Sequence, residues 1–275
     1  MPSVNVNGKS VFYTITPQSG EESETPSSSI TTVLIHGLGS NSCFYHSILP
    51  EISRKSTCIA VDTPGSGLST LGTAQQTVSS IVDDIIALLD ALSIRGKVLM
   101  IGHSMGGIIA SEIAGKYPER VQGVVLLGPV NPSQSIAEVF DKRIVAVEKD
   151  GLEALANTIP PAATGKSASS LVHAFVRALI LSTSADGYLS LCHVIATAER
   201  PKYERVEVPL LILAGEEDKT APLDACKDIF DAYGTSAPRK KLAVLPEVGH
   251  WHCIEAPEVV ARHIADFIGG YLKTS

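Results

Sequence analysis

A serine hydroxyl is a weak nucleophile at neutral pH unless a base lies within hydrogen-bond reach. A histidine base in turn needs a third group to fix its tautomer and stabilise its cation. This chain offers all three residue types in suggestive settings. Ser104 sits in Gly102-His103-Ser104-Met105-Gly106, between the apolar run Val98 to Ile101 and an apolar helical pattern. On a sharp strand-to-helix turn a serine adopts strained backbone angles that hold its Oγ clear of the chain, and the flanking glycines leave room for the turn. Two further loops follow apolar runs: Gly215-Glu216-Glu217-Asp218 after Leu210 to Ala214, and Gly249-His250-Trp251 after Lys241 to Leu245. Glu216, Glu217 and Asp218 are all open as the acid. Of eight histidines, His250 is the candidate base, because its loop falls at the same sheet end as Ser104. His36 and His103 are expected to make structural hydrogen bonds around their turns, and Asp62 to brace its loop. Asp83, Asp84 and Asp90 read as solvated charges on a helix face.

The pattern around these loops says how they are held. Ser3 to Val6, Asn7-Gly8 and Val11 to Ile15 read as a hairpin with a tight turn. Gln18 to Ser29, acidic and serine-rich, reads as an exposed loop. From Thr32 strands and helices alternate. Thr32 to Ile35, Thr57 to Val61, Val98 to Ile101 and Val121 to Leu127 are apolar runs, and apolar residues recur at helical spacing between Val78 and Leu92. Runs without polar alternation predict strands covered on both faces, hence a mostly parallel sheet flanked by helices. From Ser133 to Arg205 only helical patterns occur: Ile136 to Lys149, Leu152 to Ala156, Ser169 to Leu181 and Ala185 to Ala198, with Pro160 and Pro161 as a break. Alternation then resumes and ends in a helix over Pro257 to Leu272. The expected division is a core of residues 1–132 and 206–275, with a helical cap of residues 133–205 inserted after the sixth strand.

Together these motifs resemble the α/β-hydrolase family. The likeness rests on His36-Gly37-Leu38-Gly39, on Asp62 to Ser69 (which fits D-x-x-G-x-G-x-S at every fixed position), on Gly102 to Gly106, on Gly215 to Asp218 and on Gly249-His250. It implies the α/β-hydrolase fold, with Ser104 as nucleophile, His250 as general base and, from the spacing G-x-x-D, Asp218 as the orienting acid. It also implies an oxyanion hole formed by the backbone N–H groups of Leu38 and Met105. The segment Leu181 to Cys192 resembles the cap of 3-oxoadipate enol-lactonase-like hydrolases. Such an enzyme has to hold a substrate carboxylate, for which His173, Arg177 and His193 are the candidate cations. Phe140, Tyr188 and Trp251 are the candidate walls of an acyl pocket.

Composition sets bounds on the rest. The chain has 275 residues and a formal net charge of −7, with no basic block, which argues against a nucleic-acid partner. Its first residues lack the pattern of a secretory signal, no apolar run approaches the ~20 residues that cross a bilayer, and Leu272-Lys273-Thr274-Ser275 is not a peroxisomal address. A cytoplasmic monomer or homodimer with no membrane partner is expected. Cys43, Cys58, Cys192, Cys226 and Cys253 are scattered without a C-x-x-C pair, so neither a disulfide framework nor a zinc site is predicted. The expected activity is cofactor- and metal-free hydrolysis of a small carboxylic ester or (enol-)lactone through an acyl-enzyme. The alternatives are a carbon–carbon bond hydrolase of a vinylogous diketone and a ligand-sensing receptor on the same fold.

Overall fold

In the computed structural model, which describes residues 2–19 and 30–272, the apolar runs pair into one eight-stranded sheet. Its strands are β1 (Ser3–Val6), β2 (Lys9–Thr16), β3 (Ile30–Ile35), β4 (Ser56–Val61), β5 (Val98–His103), β6 (Val121–Leu127), β7 (Leu210–Gly215) and β8 (Lys240–Leu245). Their spatial order is β1-β2-β4-β3-β5-β6-β7-β8. Asn7 (φ 50°) and Gly8 (φ 77°) form the left-handed turn that makes β1 and β2 an antiparallel hairpin. β2 joins β4 antiparallel, and every pairing from β4 across to β8 is parallel. The loop expected from Gln18 to Ser29 lies, from residue 20 onward, outside the described residues.

The helices are α1 (Leu49–Ile52), α2 (Val78–Ala91), α3 (Met105–Lys116), α4 (Gln134–Ala163), α5 (Ser170–Leu181), α6 (Ala185–Ala196), α7 (Leu223–Ala232), α8 (His252–Glu255) and α9 (Pro257–Tyr271). α2 packs on α3, and α1 packs on α9. With helices over it and neighbours on both edges, β5 is buried along its whole length. α2 starts where a capping box predicts: Thr77 Oγ1 accepts from the Ser80 N–H, and Ser80 Oγ accepts from the Thr77 N–H.

Two expectations need correction. The helical pattern does not break at Pro160 and Pro161. α4 is interrupted at Gly151 (φ 77°, ψ 168°), between the two stretches expected to end at Lys149 and begin at Leu152, and its second arm runs beyond Ala156 and through both prolines to Ala163. They fall in its last turn and, having no N–H, leave the carbonyls four residues back without their helical donors, while the Thr164 hydroxyl donates to the Pro160 carbonyl (2.8 Å). Asp84 is not a solvated charge either. It is buried, and its carboxylate accepts from Lys9 Nζ (2.5 Å) and Asn7 Nδ2 (3.0 Å), tying the hairpin to α2. Three residues after Ile81, it sits on the buried stripe of α2, and the distant Lys9 and Asn7 make that position tenable. Asp83 and Asp90 do form partly exposed ion pairs, with Lys116 and with Arg95 and Arg120.

Candidate active site

β5 delivers Ser104 to the end of the sheet with φ 54° and ψ −117°, a backbone conformation that favours glycine, and α3 begins at the next residue. The turn is held by close backbone packing. A Cβ on Gly102 would fall on the Gly106 carbonyl, and one on Gly106 would fall on the Ile35 carbonyl. A residue held in such a region stores on the order of 1–3 kcal/mol, which the packing around it must offset.

His250 lies in the loop after β8 and Asp218 in the loop after β7, so all three side chains leave the carboxyl ends of parallel strands. Ser104 Oγ donates to His250 Nε2 (2.9 Å), and His250 Nδ1 donates to Asp218 Oδ2 (2.8 Å). The other carboxylate oxygen, Oδ1, accepts from the Thr220 and Ala221 N–H groups (2.8 and 2.9 Å). Burial by itself would raise the Asp218 pKa. The charge and hydrogen bond of His250, with His252 and the Ala221 N–H, outweigh it and hold the carboxyl well below the usual range. Glu216 and Glu217 are engaged elsewhere, accepting from the Glu247 and Lys166 N–H groups.

The other motif histidines act as braces. His103 Nε2 and His252 Nδ1 each donate to the His250 carbonyl (2.8 Å). Burial lowers the pKa of both, to about 4 for His252, so both are neutral at pH 7. His36 Nδ1 donates to the Gly37 carbonyl, and its Nε2 accepts from the Thr63 N–H (3.0 Å). Asp62 accepts from the N–H groups of Ser42 (2.7 Å) and Leu68 (2.9 Å) and so braces two loops. Gly37 packs against Ser104 so tightly that a Cβ on it would come 2.8 Å from the serine Cβ. That approach brings the Leu38 N–H beside the elbow, where Met105 opens α3. Among the described residues neither N–H donates to a protein acceptor.

The alpha/beta hydrolase fold family matches residues 32–257, a span that includes the serine elbow, the acid loop and the histidine loop. The chain belongs to this family. The 3-oxoadipate enol-lactonase 2 of Acinetobacter baylyi is 30% identical over 195 residues, covering 68% of this α/β hydrolase and 70% of that protein. The dihydrolipoyllysine-residue acetyltransferase component of the acetoin cleaving system of Pseudomonas putida is 27% identical over 246 residues, 86% of this chain. The chain spans 62% of that relative's length. Among solved structures, the enol-lactonase from Burkholderia xenovorans LB400 superposes with a TM-score of 0.85 at 24% identity, over 98% of this chain and all of that one.

In this α/β hydrolase, α4, α5 and α6 lie between β6 and β7 and roof the site. α6 docks where Gly187 meets the Gly65 backbone, so close that a Cβ on Gly187 would fall on the Gly65 carbonyl. Gln76 Nε2 bridges to the Pro64 carbonyl and Ser190 Oγ. Beneath the roof is a cavity of 140 Å³. Leu38, Ser104, Thr220, His250 and Trp251 line it from the core, and Phe140, Arg143, Ile159, Ile180 and Tyr188 from the cap. Phe140, Tyr188 and Trp251 therefore sit where the sequence reading puts them. A larger cleft, of 510 Å³, lies beside Thr77 and Arg200, and neither Ser104 nor His250 lines it.

The expected cap cations are elsewhere. Arg177 is drawn outward to Asn157 (2.7 Å) and Glu153 (3.2 Å). His193 is exposed, and His173 contacts Thr164 Oγ1 (3.0 Å) in a separate cleft that borders Glu216 and Glu217. α5 and α6 turn Val176, Leu179, Ile180, Tyr188 and Leu191 inward, which leaves these three polar residues on other faces. The cation that does line the cavity is Arg143, which the sequence reading missed. Its guanidinium lies 5.0 Å from the Phe140 ring centroid, and among the described residues it has no carboxylate partner. Arg143 follows Phe140 by three residues on one helix and so shares its face, but which face of that helix meets Ser104 is set by contacts distant in sequence. The pKa of the neighbouring Tyr188 is pushed up by burial to about 12, with Arg143 opposing the shift.

Burial also raises the thiols of Cys58 (to about 11) and of Cys192 and Cys226 (to about 12), so they stay protonated and weakly nucleophilic. All five cysteines are free. Among the described residues no group of three or more His, Cys, Asp or Glu is placed to hold a metal ion, and no single helix is long and apolar enough to cross a membrane.

Proposed function

We propose that this α/β hydrolase cleaves a small carboxylic ester or (enol-)lactone whose far end carries a carboxylate, through an acyl-enzyme on Ser104. The supporting observation is the hydrogen-bonded chain from Ser104 Oγ through His250 to Asp218 Oδ2 beneath a small roofed cavity. His250 takes the serine proton as Oγ attacks the carbonyl carbon. The negative charge that develops on the carbonyl oxygen meets the Leu38 and Met105 N–H groups. Collapse expels the alcohol or enol oxygen, which takes the proton back from His250. Water, deprotonated by His250, then releases the acid and frees Ser104. With a lactone the leaving oxygen stays tethered until that second step. Arg143 supplies the positive charge for the distal carboxylate, and no cofactor or metal enters the cycle. The proposed setting is a cytoplasmic enzyme, monomeric or homodimeric, with a small-molecule partner.

A carbon–carbon bond hydrolase is the second reading. It draws on Trp251, whose indole N–H is buried without a partner among the described residues and which lines the cavity beside His250. The test is a panel of short acyl esters, aromatic esters, enol-lactones and vinylogous diketones assayed with the purified protein and with Ser104→Ala. Ester or lactone hydrolysis that disappears in Ser104→Ala is the expected result. Turnover of the diketones alone moves the assignment to carbon–carbon cleavage. Undiminished ester turnover by Ser104→Ala overturns both.

A further inference from the structure

One carboxylate outside the triad touches both halves of the site. Glu255, at the end of α8, accepts three backbone N–H groups: Oε1 from Trp251 (2.8 Å), and Oε2 from Gly249 (2.9 Å) and Gly165 (2.6 Å). Gly249 and Trp251 flank His250, whereas Gly165 belongs to the cap segment that leaves α4. The N–H of His250 donates to Ala163 of that same segment (2.7 Å). Gly249 lies so close to Thr164 and Gly165 that a Cβ on it would fall on their backbone. The consecutive N–H groups of residues 249, 250 and 251 thus end either on Glu255 or on the cap segment that Glu255 holds.

We propose that Glu255 is a positioning residue, which keeps the His250 imidazole within reach of Ser104 by pinning the histidine loop to the cap at Gly165. The proposal rests on the reading of His250 as general base. A carboxylate suits the task because its two oxygens accept several N–H groups at once, in hydrogen bonds stronger than neutral ones. An amide offers one accepting oxygen and turns its NH₂ toward the remaining N–H. The arrangement couples two events: the Ala163 to Gly165 end of the cap moves only together with the catalytic loop. Substrate passage under the cap is therefore expected at its other edges.

The test compares Glu255→Ala and Glu255→Gln with wild type on p-nitrophenyl acetate, expressing kcat per active site titrated with a fluorophosphonate. For Glu255→Ala, kcat per site is expected to fall by about 10²-fold, as for a displaced catalytic group, while KM stays nearly constant. Glu255→Gln is expected to fall between that variant and wild type. Amide hydrogen exchange at Gly165, Gly249 and Trp251 should accelerate in both. A purely structural role predicts fewer titratable sites with unchanged kcat per site, and that result overturns the proposal. If Glu255→Ala does not fold, wild-type kcat per site in Glu255→Gln overturns it alone. Failure of wild type to react with either reagent overturns the hydrolase reading itself and is recognised as such.

Discussion

Three acids stand side by side at 216, 217 and 218, and the one buried against an imidazole is set apart by its surroundings. Asp218 keeps its charge because His250 and two N–H groups replace the water it has lost, while Glu216 and Glu217 hold loops together. His252 is governed by the opposite balance. Burial lowers its pKa from 6.5 to about 4, so the native state binds its proton later than the unfolded chain does. Its contribution is fully present above pH 6.5 and is lost as the pH falls toward 4. A shift of that size corresponds to roughly 3 kcal/mol. His103, also lowered by burial, acts in the same direction. In His252→Asn the side-chain N–H can still donate to the His250 carbonyl, but the titrating group is gone. Denaturant unfolding at several pH values should therefore show a shallower loss of stability for this variant between pH 6.5 and 4. Equal slopes for variant and wild type would contradict the assignment.

At the scale of elements, the cap separates what a linear pattern can tell from what it cannot. Helical periodicity located α5 and α6, because apolar faces must find cover, and the family resemblance offered Phe140 and Tyr188 as pocket walls. It could not choose among the cap cations. Which of Arg143, His173, Arg177 and His193 faces the serine depends on how each helix is rolled against the core, and contacts distant in sequence decide that. For the same reason Asp84 reads from sequence as a solvated charge and Glu255 goes unmarked, since Lys9 and Gly165 are far away along the chain. Arg143→Gln puts the cap assignment to the test. KM for the half-ester of a short dicarboxylic acid should rise by about ten- to a hundredfold, the worth of one charge-assisted hydrogen bond. KM for the neutral diester should stay near wild type. An equal rise for both esters would show that Arg143 shapes the cavity without reading charge.

At the scale of the whole molecule, the site follows from strand order. β5, β7 and β8 run parallel within one sheet, so the loops that follow them share one rim, the place where open α/β sheets bind ligands. β3 lies beside β5, which sets the Gly37-Leu38 turn against Ser104. This part was legible in the sequence, because each motif stands at the end of an apolar run and the runs specify a parallel sheet. The cavity of 140 Å³ is below the roughly 300–1,000 Å³ of common ligand pockets, which favours small substrates. The central claim is a covalent bond to one serine. Mass spectrometry of protein acid-quenched within milliseconds of mixing with p-nitrophenyl acetate tests it most directly. The account predicts an acetyl adduct on the peptide that contains Ser104, at up to one per chain and absent from Ser104→Ala. Steady turnover with no adduct on that peptide, and with Ser104→Ala as active as wild type, would contradict it.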